Sequence, residues 1–182
     1  KEIEEVLRRL EELIRRVREE LRKNNEDIER EADKLRKELK RVNDELEKKI
    51  KDVKDRARRD GAREEDIDRI RKDLKKSKED LERLIKEALD RLKKNLDDLK
   101  KRVEEVEKRL EDLIRDVERK GLPKEVLDEL RRVVEEVTRE IREVLETSRE
   151  LVRRIVETVK EVLRSHDEKI KKVEEELDRD RQ

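Results

Sequence analysis

In 182 residues the helical pattern is interrupted at only two places, Asp60-Gly61 and Lys120-Gly121-Leu122-Pro123, and these hold both glycines and the single proline. Everywhere else apolar residues recur every three or four positions, the period of one helical face. The first stripe runs from Ile3 and Leu7 through Leu10, Ile14, Val17 and Leu21 to Val53 and Ala57, the second from Ile67 to Val117, the third from Val126 to Leu177. The sequence therefore predicts an all-α chain of three helices, at about 1–59, 63–120 and 123–181. Gly suits a helix C-terminus because it reaches the left-handed conformation without steric cost. Pro123 suits a first helical position, whose N–H has no partner to lose. Arg56, Arg58 and Arg59 at one end, and Glu64, Glu65 and Asp66 at the next start, match the signs of the helix dipole.

Helices of about 57 residues, each about 85 Å long at 1.5 Å per residue, can be joined by such short connections only if they lie antiparallel, side by side. The expected fold is a single antiparallel three-helix bundle spanning 1–182. The apolar fraction, 30%, is close to the two residues in seven needed for a narrow seam, so a core is available only along the helix lengths. The mean spacing along the first stripe is about 3.6 residues, which predicts nearly straight helices rather than a supercoil.

Six polar residues occupy stripe positions: Asn25 and Asn43 in the first helix, Ser77 and Asn95 in the second, Ser148 and His166 in the third. Within each helix the two are 18 apart, five turns. Their neighbours Thr147 and Ser165 repeat the interval. In antiparallel neighbours, facing positions have numbers of constant sum, and the stripes match best at sums near 120 for the first pair of helices and near 243 for the second. Asn25 then faces Asn95 and Ser148, while Asn43 faces Ser77 and His166. These polar layers are expected to be buried and hydrogen-bonded across the bundle. A third equivalent layer, Leu7, Leu113 and Leu130, is apolar.

Composition excludes several functions. Charged residues make up 62%, with 56 basic against 56 acidic, so the basic excess that nucleic acid would draw on is missing. No apolar run approaches a membrane span and no signal peptide opens the chain, so a soluble chain without a visible address is expected, cytoplasmic if expressed recombinantly. With no Cys and one His, the several nitrogen or sulfur ligands that zinc requires do not exist. Ser77 facing His166 has the residue types of acyl transfer, but mid-bundle there is no Gly-rich turn and no free backbone N–H to serve an oxyanion. Asp and Glu alternate with Lys and Arg at helical spacing, as Glu11 with Arg15, which marks a solvated surface.

The whole chain resembles a de novo designed protein: a parametrically generated, untwisted, single-chain antiparallel three-helix bundle with an 18-residue repeat. The residues that carry the resemblance are the Lys, Arg, Glu and Asp surface, the core of Leu, Ile and Val, Gly and Pro used only at turns, and polar residues grouped in layers. Natural three-helix repeats of the spectrin type carry aromatic core residues, which are absent here. The resemblance implies no natural biochemical function, no catalysis, no cofactor, no metal and no small-molecule substrate, but a heat-resistant, monomeric scaffold in which buried polar layers fix register. The alternative is an interaction module, a three-helix host for a partner helix or a second copy. Doublets such as Leu151-Val152 and Ile155-Val156, which widen the third stripe, motivate it.

Overall fold

The computed structural model describes residues 2–61 and 63–180. They form a three-helix bundle of α1 (Glu2–Asp60), α2 (Glu64–Arg119) and α3 (Lys124–Asp180), of 59, 56 and 57 residues. Both turns rest on glycine in the left-handed region, Gly61 at φ 72° and Gly121 at φ 69°. At the second turn Lys120 N–H bonds the Asp116 carbonyl and Gly121 N–H the Glu118 carbonyl, both at 3.2 Å.

Pro123 differs from its expected place by one position. Its carbonyl accepts the first bonds of α3, from Val126 and Leu127 N–H at 3.1 Å, so it caps the helix rather than opening it. The locked φ of proline serves either position. Arg63 plays the same part for α2, accepting from Ile67 N–H at 3.0 Å.

The chain divides into two compact units, each containing a part of every helix. Unit 1 is Lys1–Arg30 with Leu92–Val152. Its core is built from Leu10, Val17 and Leu21 of α1, Leu92, Leu99 and Leu110 of α2, and Leu130, Val137 and Ile141 of α3, all buried. Unit 2 is Glu31–Arg91 with Arg153–Gln182. There Leu46, Ile67, Leu74, Val173 and Leu177 form one buried cluster, flanked by Ile50, Val53, Ala57, Ile70 and Ile170.

Interhelical ion pairs report the register directly. In unit 1, Arg102 pairs with Glu20 at 2.7 Å, position numbers that sum to 122, and Arg142 pairs with Glu107 at 2.8 Å, which sum to 249. In unit 2, Arg91 with Glu31 at 3.5 Å again sums to 122 and Arg71 with Asp178 at 2.6 Å again to 249. A constant sum is the mark of antiparallel neighbours. Helices α1 and α3 instead keep a constant difference: Arg18 with Glu140 and Lys169 with Glu47 are both 122 apart. They run parallel, as two helices flanking a common antiparallel partner must.

The stripes are recovered with local shifts. Val6 is buried and Leu7 only half-buried, Leu145 is buried in preference to Val144, and Val152 in preference to Leu151. In the apolar layer Leu130 is buried, whereas Leu7 and Leu113 are half-buried. Adjacent residues are 100° apart around a helix, so where two neighbours are both apolar, small rotations decide which one points inward. No described helix is long and apolar enough to cross a membrane.

Candidate functional site

The two polar layers lie in different units, and their chemistry differs. In unit 1, Ser148 takes an inward position of α3 between buried Leu145 and Val152 and is 0% exposed. A serine hydroxyl there must find an acceptor, because leaving it bare costs about 1–3 kcal/mol. It donates to Asn25 Oδ1 at 2.7 Å. The two positions are 123 apart, the difference implied by sums of 120 and 243. Asn25 is half-buried and directs its amide outward, donating Nδ2 to Glu29 Oε1 at 3.4 Å. The layer is thus a buried hydroxyl tied to a carboxamide that spans from core to surface. Asn95, the third member, is half-buried, and neither Ser148 nor Asn25 bonds it.

In unit 2, His166 is buried at 3% exposure, and neither Nδ1 nor Nε2 has a hydrogen-bond partner. The expected bonds from Asn43 and Ser77 are not made. Asn43 is half-buried and its Oδ1 accepts instead from Lys169 Nζ at 2.8 Å, which also bonds Glu47 Oε1 at 3.0 Å. The amide is thereby turned toward the surface by an ammonium one turn beyond His166. Ser77 is half-buried. Burial pushes the His166 imidazole below its ordinary value of 6.5; Asp167 and Glu82 act in the opposite sense, Lys78 and Lys169 in the same one. Lys78 and Asp167 are themselves paired at 2.9 Å, and the Lys78 ammonium is raised by that hydrogen bond.

Thr147 and Ser165 are exposed, contrary to their expected place in the buried layers. Each precedes an inward residue by one position, and a 100° rotation carries it out of the seam. Ser165 lines a surface groove of about 450 Å³ in unit 2, with Leu39, Asn43, Thr158, Val162 and Lys169. Lys169, Glu47 and Glu29 were missed by the stripe argument because they are ordinary surface residues by type. Their helical offsets carried the signal: Glu29 is four residues beyond Asn25, Glu47 four beyond Asn43, and Lys169 three beyond His166.

What the layers can do chemically is limited. Ser148 is engaged as a donor and enclosed, and His166 is buried with neither ring nitrogen hydrogen-bonded, so in neither layer is a hydroxyl hydrogen-bonded to an imidazole. Among the described residues no group of three His, Cys, Asp or Glu is arranged to hold a metal.

No curated protein matches the sequence. A solved structure described as a computationally designed three helix bundle is similar, at 19% identity over 97% of this chain and 86% of that one, with a TM-score of 0.46. The model of the Pex19 protein family matches residues 1–147, and on that match the chain belongs to the Pex19 protein family.

Proposed function

We infer that the chain is a structural scaffold of designed origin, not an enzyme, whose interior polar residues serve register and act on no substrate. The observation that carries this reading is the Ser148–Asn25 bond. The most enclosed hydroxyl of the layers is consumed in a contact between α1 and α3, where it discriminates against slipped packings and is withheld from solvent. Residues 1–147, which the family model matches, consist on this chain's side of charged residues with Leu, Ile and Val at helical spacing. Long surface helices share that pattern widely, so membership of the family designates no site here.

A scaffold of this kind is monomeric and heat-resistant, since idealised helices with aliphatic cores carry little strain. It requires no cofactor and no partner. The second reading, an interaction module, is favoured by the groove at Leu39 and Val162, an apolar strip between α1 and α3. Sedimentation velocity at two concentrations, together with a thermal melt, tests the scaffold. A single monomer mass and a midpoint above about 70 °C, beyond the range of ordinary mesophile domains, are expected. Concentration-dependent association would favour the interaction module.

A further inference from the structure

The layers of the two units differ in one respect that bears on behaviour: among the described residues, only unit 2 buries a titratable group. We propose that His166 is an acid-operated release in unit 2, a buried imidazole whose protonation is compatible with the opened unit and not with the closed one. Its geometry supplies the reason. Imidazolium needs acceptors for two N–H groups, and in the closed unit neither ring nitrogen has any partner.

The charged groups around it do not replace that missing acceptor. From α2 come Lys78 and Glu82, and from α3 Asp167 and Lys169. On α1, Glu47 bonds Lys169, and Lys40 lies farther along the groove. Asp167 is held by Lys78 at 2.9 Å and Glu47 by Lys169 at 3.0 Å, so two of the three carboxylates are already paired with an ammonium. Asp167 and, more weakly, Glu82 favour the cation, Lys78 and Lys169 oppose it, and burial outweighs them. Unit 1 has no equivalent, because Ser148 and Asn25 do not titrate in this range.

The sign follows from linkage. A base that protonates more readily in the opened state shifts the balance toward opening as pH falls below the free imidazole value. The effect is absent above about 6.5 and grows until the closed state also takes up the proton. At pH 5.0 the opening constant of unit 2 rises at most about thirty-fold over neutral pH, the limit for an imidazole that stays neutral when closed.

Native-state hydrogen exchange on the whole chain, in moderate guanidinium at pH 7.5 and 5.0 and corrected for intrinsic rates, tests this. Amides in 31–91 and 153–180 should show a five- to thirty-fold rise in opening at pH 5.0, while those in 2–30 and 92–152 change several-fold less. His166→Leu and the polar but untitratable His166→Asn should both abolish the excess in unit 2. An equal rise in both units, no rise in either, or an excess that survives in the two variants would overturn the proposal.

Discussion

Ser148 Oγ and Asn25 Oδ1 lie 2.7 Å apart, from residues 123 positions apart in the chain, and the donor is completely enclosed whereas the acceptor's side chain reaches the surface. This asymmetry makes the bond measurable. Ser148→Ala should destabilise by about 0.5–1.5 kcal/mol, the net worth of one hydrogen bond, since Asn25 keeps access to water. In a double-mutant cycle with Asn25→Ala the coupling should be about 1 kcal/mol by chemical denaturation. Zero coupling would mean that the hydroxyl bonds a carbonyl of its own helix.

His166→Leu should stabilise the chain by about 1–3 kcal/mol at pH 7.5, because it removes two buried ring nitrogens that have no partner while filling similar space. A loss of stability in the guanidinium midpoint would show that the imidazole is hydrogen-bonded in solution.

An NMR titration should find the His166 imidazole below 6.5, with desolvation as the leading cause. For a depressed base the sign is fixed: stability is full above about 6.5 and declines as pH falls below it toward the lower folded value. A titration at or above the ordinary value would mean that the ring is exposed or paired with Asp167 or Glu82.

Gly121→Ala should cost about 1–2 kcal/mol. The cause is backbone conformation alone, since φ is 69° and an added Cβ would have nothing within 4 Å. Gly121→Asn, which tolerates the left-handed region better, should recover part of that loss in the same thermal melt. If alanine is harmless, the turn between α2 and α3 has relaxed to another conformation.

The interhelical ion pairs should matter little for stability. Arg102 bonds Glu20 at 2.7 Å and Glu105 at 3.2 Å, yet the Glu20 side chain is 51% exposed and Glu105 63%. Arg102→Met should cost below about 1 kcal/mol, and the difference should shrink further in 1 M salt. A larger, salt-independent loss would show that the guanidinium packs as core.

Spacing and residue type made the helices, turns and register legible, because Gly61, Gly121 and Pro123 have few other uses and the stripes match best at one constant sum per pair. The expected sums of 120 and 243 became 122 and 245 to 249 among the ion pairs, as long side chains lean along the helix from their Cα positions. That same leaning limited the reading of the layers. Position arithmetic brings Asn43 and Ser77 to the level of His166 but does not fix where an amide turns. Lys169, with a long and flexible stem, reached the Asn43 oxygen and left the imidazole unpaired. Asn43→Leu should therefore cost little, in contrast to a closed three-membered layer, where it would strand its partners.

The division into units has a consequence for synthesis. Neither unit is a contiguous piece of chain: residues 31–91, a hairpin of unit 2, are inserted between the two segments of unit 1. A growing chain makes that hairpin first, yet by position 152 it is unit 1 that has all its residues, while unit 2 still awaits the segment beginning at Arg153. On the ribosome, then, the first hairpin must wait with its apolar stripe incompletely covered, and a stall between 100 and 150 would expose Leu46, Leu74 and their neighbours to whatever chaperones are at hand.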